Sequence, residues 1–304
     1  MDLINKYAKS SFTVKLFAAL AVFLLMMLFT LAVLGVVSYI CSGKFAPENL
    51  VRILTAIQTM CLFVLPPFFI AFLYSYSPIH YLHLDKLPSF RALVGVFLCM
   101  IASIPFLNWT VAWNESMQFP EFMSGIETWM KNSEETARQV TEQLISVQTL
   151  GGLLAVIIIV GVLAGIGEEL TFRGIFQRLF LDKFRNKHLA IWTAAIVFST
   201  IHLQFYGFIP RMLLGAFFGY LLVWSGNIWL PIFAHFLNNS VAVVYNYLSK
   251  EYHFSNDFET IGTSASSTGW MAWCSLFLFV VLCIVFYRIA FKQNHVQDTG
   301  NNAE

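Results

Sequence analysis

Eight stretches of this sequence are apolar enough, and near enough to membrane-spanning length, to constrain everything else about its fold. They cover residues 14–40, 53–76, 91–113, 150–181, 189–206, 210–225, 228–248 and 270–291. A helix needs about 20 apolar residues to cross the hydrocarbon core, where no water satisfies an open backbone. The expected fold is therefore all-α, a polytopic integral membrane protein with about eight transmembrane helices. Charged residues make up 12% of the chain, against about 25% in an ordinary soluble domain. Pro66-Pro67 should kink the second helix, while Pro231 falls near the start of the seventh, where it is better tolerated.

Loop charge gives an expected orientation. With the N-terminus inside, eight spans return the C-terminus to the same side. Lys6, Lys9, Lys15, Lys86, Arg91, Arg178, Lys183, Arg185, Lys187, Arg288 and Lys292 then lie inside. Lys44, Arg52, Lys131, Arg138, Arg211 and Lys250 lie outside. This bias follows the positive-inside rule and predicts two cytoplasmic termini, in the inner (plasma) membrane if the source is bacterial. The first apolar run is longer than a signal-peptide core and lacks a small-residue cleavage site, so it reads as a retained helix. Tyr39 and Ile40 stand where small residues would precede a lipid-modified Cys41. The five cysteines form no C-x-x-C and read as small hydrophobes. No dense Lys/Arg tract suggests nucleic acid, and the expected surroundings are the lipid bilayer.

Polar residues divide the chain unevenly. Residues 1–113 read as a three-helix membrane scaffold. Residues 114–149 form an acidic outer loop with an interfacial helix expected from about Glu121 to Val147. Residues 150–291 hold nearly all the polar features inside apolar helices. Within them, the outer loop 249–269 ends in a Thr/Ser/Gly-rich run, Gly262 to Gly269, expected to be a flexible connector. Residues 292–304 are a polar tail. Gly161-x-x-x-Gly165 and Gly215-x-x-x-Gly219 are expected to serve ordinary close helix packing.

The fourth helix contains Gly167-Glu168-Glu169-Leu170-Thr171-Phe172-Arg173. Each ionisable side chain at a helix centre costs about 2.5–3.5 kcal/mol to insert. Glu169 and Arg173 are spaced i,i+4 and can pair on one face. Glu168 points about 100° away and keeps no partner in its own helix. A lone ion pair can simply lock packing, but an unpaired second glutamate argues for function, because a desolvated carboxylate is a better base. The fifth helix is expected to carry Phe198 and His202, and the seventh His235 and Asn239 at i,i+4. A single histidine in an apolar helix is usually hydrogen-bonded packing. Two on separate helices, beside Glu-Glu-Arg, point to one site. Counting rise from the inner helix ends allows these groups to border a cavity reached from the inside. His80, His83, His188, His253 and His295 are expected to be solvated or interfacial.

Taken in order, Glu168-Glu169-x-x-x-Arg173, Phe198-x-x-x-His202 and His235-x-x-x-Asn239 resemble the three signature motifs of the CPBP family. These are the CAAX-prenyl-protease and bacteriocin-processing (Abi) intramembrane proteases. The resemblance covers about residues 150–248, and it is the ordered set that is specific. It implies an intramembrane endopeptidase acting on a peptide or protein substrate at the membrane. Residue by residue, it implies Glu168 as general base and His202 positioning or polarising the water. His235 and Asn239 would support the oxyanion, Glu169 and Arg173 would orient Glu168, and Phe198 would pack one turn before His202. Metal dependence stays open. Glu168, His202 and His235 are a candidate zinc set with an open water position, yet no H-E-x-x-H occurs, and metal-free chemistry accounts for the same residues. Two other classes compete: a non-catalytic immunity or regulatory partner on the same fold, and a proton-coupled transporter, which lacks the expected repeat symmetry.

Overall fold

The structure, a computed structural model, describes residues 4–252, 257–263 and 267–301. The long helices are α1 (Phe12–Cys41), α2 (Pro47–Tyr74), α3 (Phe90–Glu115) and α4 (Ser124–Ile145). After them come α5 (Leu150–Phe184), α6 (Lys187–Thr200), α7 (Phe208–Ser225), α8 (Trp229–Tyr252) and α9 (Trp270–Asn301). Among the described residues there is no strand. All eight expected apolar segments form helices, the fifth stopping at Thr200, and the chain is an all-α, multi-pass membrane protein. Among the described residues, six helices meet the length and hydropathy of a span: α1, α2, α3, α5, Phe205–Ser225 and the Trp270–Ile289 part of α9. The other two fall short for different reasons. Helix α6 has 14 residues, about 21 Å, and α8 is long enough but carries His235, Asn238 and Asn239 in its middle.

Helix α1 buries only Ala19 and Thr30, which is how a helix surrounded by lipid should look. The remaining helices pack more closely. Where α2 approaches its prolines, a π turn over Met60–Val64 absorbs the disturbance and the helix continues through Pro66 and Pro67. The looser turn also redirects a carbonyl, since Phe63 O accepts a hydrogen bond from Thr171 Oγ1 of α5 at 3.1 Å. A Cβ on Gly167 would lie 2.9 Å from Phe63 Cβ. The glycine before the two glutamates therefore lets α2 press against α5.

Helix α4 fills the expected acidic segment. It buries only Met130, and its outer face carries Arg138 between Glu135 and Glu142. Its inner face meets the α6–α7 turn through Trp129 and Phe205, whose ring centroids are 5.3 Å apart. The expected flexible connector is anchored where it begins. Asn108 Nδ2 donates to Ile261 O at 3.2 Å, the Gly262 N–H donates to Thr268 Oγ1 at 3.0 Å, and Thr263 is buried. Gly262 has φ +86°, and a Cβ there would stand 2.5 Å from Pro105 O. Glycine is needed both for that backbone conformation and for that contact. The 264–266 part of the expected connector and His253 lie outside the described residues.

Candidate active site

Helix α5 bears the carboxylates, and its hydrogen bonding departs from the α pattern on either side of them. π turns span Ile157–Leu163 and Leu170–Gln177, with a short α segment, Ala164–Glu169, between. π turns inside helices often mark functional sites. Small residues then admit the neighbouring helices. Gly165 would place a Cβ 3.4 Å from the Ile232 O and Phe236 N atoms of α8, and Gly161 would place one 2.6 Å from Ser240 Oγ. This close crossing delivers His235 to the glutamates.

Glu169 and Arg173 form the expected pair, with Arg173 Nη1 donating to Glu169 Oε1 at 2.7 Å. Both side chains are essentially removed from solvent, at 0% and 1% exposure. The guanidinium also donates through Nη2 to Gly215 O at 2.8 Å. Its carbon lies 4.8 Å from the centroid of Phe198 and 5.4 Å from that of Phe218. The Gly215-x-x-x-Gly219 pair thus does more than bring helices together. Gly215 makes room for Arg173, and Gly219 offers its carbonyl to Gln177 Nε2 at 3.2 Å.

Glu169 Oε1 is shared, since His235 Nδ1 lies 2.8 Å from it. A carboxylate beside Nδ1 fixes the proton there and leaves Nε2 as the outward atom. Phe218 lies against the ring at 5.4 Å and 27°, and Phe198 meets it edge-on at 6.1 Å. His202 is held by a similar device. Its Nδ1 lies 2.7 Å from Phe198 O. A carbonyl only accepts, so Nδ1 carries the proton and Nε2 is again outward.

Both outward nitrogens face the same carboxylate oxygen. Glu168 Oε2 is 3.9 Å from His202 Nε2 and 3.8 Å from His235 Nε2. These gaps exceed a direct hydrogen bond and match the span of a shared water. Glu168 is itself 17% exposed, unlike its neighbour. Five of the six expected site residues therefore converge. The sixth, Asn239, sits one turn further along α8 and donates through Nδ2 to Val160 O at 2.8 Å. That carbonyl belongs to the first π turn of α5.

One placement differs from expectation. His202 is not within its helix. Helix α6 ends at Thr200, because Leu203 adopts φ +53° and its N–H turns back to Thr200 O at 3.1 Å. His202 lies in this turn, where a ring can swing clear of the helix wall. The turn is tied to the C-terminal end of α3 by Asn114, whose Nδ2 donates to Phe205 O at 3.0 Å and whose Oδ1 accepts from the Ile209 N–H at 2.8 Å. Helix α4 covers the same turn. The Arg178–Lys187 segment lies at the opposite end of α6. His202 therefore belongs to the end of the helices beneath α4, away from the basic cluster.

Sequence reasoning missed Asn114, Phe218 and Gly215 as site-building residues. Asn114 had a legible signal as an amide at the end of an apolar helix. For the other two, no pattern in the chain distinguishes them from lipid-facing or packing residues.

The candidate zinc set can be tested on distance. Zinc bonds of about 2.0–2.2 Å in a tetrahedral site would hold the donor atoms about 3.4 Å apart. Glu168 Oε2 stands wider than this from the Nε2 atoms of both His202 and His235, at 3.9 Å and 3.8 Å. Among the described residues, no three His, Cys, Asp or Glu side chains are arranged to hold a metal ion. As arranged, the residues fit a water-bridged set better than a metal-binding one.

Comparison with known proteins bears on the same stretch. Residues 150–241 match the family model of the Rce1-like proteins, described as type II CAAX prenyl endopeptidase Rce1-like. The match includes all three motifs, so the family resemblance is shown over that segment. The uncharacterized protein YpbD of Bacillus subtilis (strain 168) is 29% identical over 89 residues, which are 28% of this chain and 42% of that protein. The chain thus matches less than half the length of this relative. No solved structure matches.

Proposed function

We propose that this chain is an intramembrane endopeptidase of the Rce1-like kind, hydrolysing a peptide bond of a membrane-associated substrate by glutamate-activated water. One observation carries the reading. Glu168 Oε2 and the outward Nε2 atoms of His202 and His235 surround one point, each gap suiting a shared water. An ion pair that served packing alone would need Glu169 and Arg173 but not this second carboxylate with two oriented imidazoles.

Each residue then has a task. Glu168 takes a proton from the water as its oxygen bonds to the scissile carbonyl carbon. His202 Nε2 orients that water. The same proton passes from Glu168 to the leaving nitrogen as the carbon–nitrogen bond breaks, so the glutamate is restored. Asn239 and His235, the latter once its Nε2 also carries a proton, are the donors for the oxyanion. Asn239 Nδ2 has two protons, and one of them is committed to Val160 O. Glu169 and Arg173 are positioning residues, acting on His235 through Glu169 Oε1. The substrate would approach beneath α4.

The test is cleavage of membrane peptides by the purified protein, with Glu168→Gln and His202→Ala as controls. Loss of general base catalysis predicts a fall of about 10²–10⁴-fold for Glu168→Gln. Wild-type rates in both variants would sink the assignment. If Glu168→Gln retained the protein's biological effect in cells, the non-catalytic partner reading would replace it.

A further inference from the structure

A groove on the far side of α6 and α7 from the glutamates has no part in this chemistry. Its volume is about 600 Å³, within the usual range for a small-molecule site of about 300–1,000 Å³. Its walls come from α3, α7 and α9, and one end is closed by the first residues of α6. The lining is almost wholly apolar, with Phe106, Leu214, Phe217, Phe279 and Val280 along its length. Lys187 and His188 line it at one end, beside Tyr220, Trp224 and Tyr287, and no carboxylate lines it anywhere.

Length and charge identify what fits. The wall on α7 runs from Leu213 to Trp224, about 16 Å of helix. One leaflet of the hydrocarbon core is about 15 Å thick. The groove therefore extends from one membrane face to near the midplane, as a lipid tail does. Lys187 and His188 are both exposed, and His188 Nδ1 lies 2.8 Å from the Tyr220 hydroxyl. Arg288, also exposed, follows Tyr287 at the same end. Aromatic hydroxyl and indole groups at that level are the usual neighbours of headgroups. Cations there attract anionic ones.

We propose that this groove is a binding site for an anionic phospholipid, with its acyl chain along α7 and α9 and its headgroup at Lys187. The site is independent of the glutamate cluster. Lys187 begins α6, and His202 follows that helix's end, about 22 Å away along the axis.

The experiment is native mass spectrometry of the full-length protein from detergent, offered equal phosphatidylglycerol and phosphatidylcholine with identical acyl chains. Wild type should retain phosphatidylglycerol preferentially. Lys187→Gln removes one cation at a membrane surface and should lower that preference about fivefold. Val280→Trp projects from a 46% exposed position into the groove and should reduce retention of both lipids, with Ile284→Trp as a second filling variant. A phosphatidylglycerol with a photoreactive tail should crosslink to α7 and α9. Equal retention of the two lipids by wild type, unchanged binding in the variants, or crosslinks confined to other helices would each overturn the proposal. So would photocrosslinking from position 280 to a polypeptide instead of a lipid.

Discussion

Replacing Arg173 with methionine should destabilise the protein sharply, and a second, compensating replacement should restore most of the loss. Arg173 and Glu169 are 1% and 0% exposed, so solvent screens their interaction very little. Removing one member of such a pair leaves a buried charge without its partner, at a cost of about 3–5 kcal/mol. Methionine retains an apolar stem against Phe198 and Phe218, so most of the loss is electrostatic. Glu169→Gln alone should cost a similar amount, because it strands the guanidinium. The double variant Glu169→Gln/Arg173→Met has neither charge, and the amide introduced by Glu169→Gln still offers an oxygen to His235 Nδ1. It should unfold within about 2 kcal/mol of wild type, since neutral replacement of a buried pair is often tolerated. The assay is denaturant unfolding in detergent micelles followed by tryptophan fluorescence, run as a double-mutant cycle. Single variants that lose less than about 1 kcal/mol, or a double variant no more stable than either single, would refute the reasoning. Cleavage should remain impaired in the stable double variant, because the negative charge that Glu169 sets beside His235 is gone.

Other expectations follow from particular contacts. Chelator treatment of active protein should leave cleavage within about twofold, given donors spaced wider than zinc would hold them, and metal analysis of the same sample checks it. Gly219→Ala would set a Cβ 2.5 Å from Gln177 Oε1 and 2.9 Å from Ile191 Cγ2. It should cost about 1–3 kcal/mol in the same unfolding assay. Outside the spans, the hydrogen bond from His80 is the main reason the Asp85 carboxyl is held below its usual range. A depressed acid stabilises the fold above its unfolded value of about 3.9 and loses that contribution as pH falls through the lower, folded value. His80→Ala should remove this acid sensitivity from the loop, as read by unfolding between about pH 2 and pH 6.

Much of this arrangement was legible in the sequence because membrane insertion is so restrictive. Apolar length announces a helix, and a charge within it demands a partner. Glu169 and Arg173 were readable as a pair from four-residue spacing, and Glu168 as the unmatched acid. Spacing could not show that one oxygen of Glu169 serves both Arg173 and His235, since their helices meet only in the fold. Hydropathy was also blind to where α6 stops. Nothing in the composition of Thr200 to Leu203 forbids another turn, and only the positive φ of Leu203 and the bonds from Asn114 to the turn end it. Counting rise along each helix gives depth, but not which end the connecting turn closes.

The two π turns of α5 have a consequence for chain length. Each holds one residue more than an α-helix on the same path would need. Removing a single residue from Ile157–Leu163 would let that turn tighten into ordinary α-helix and leave the later side chains close to where they are. The α segment between the two turns has no residue to spare. Removing one residue between Ala164 and Gly167 would rotate the side chains that follow by about 100° and displace them by about 1.5 Å relative to the stretch that begins at Leu150, turning Glu168 away from His202 and His235. The alignment of the site is thus written partly in where along this helix a residue can be lost.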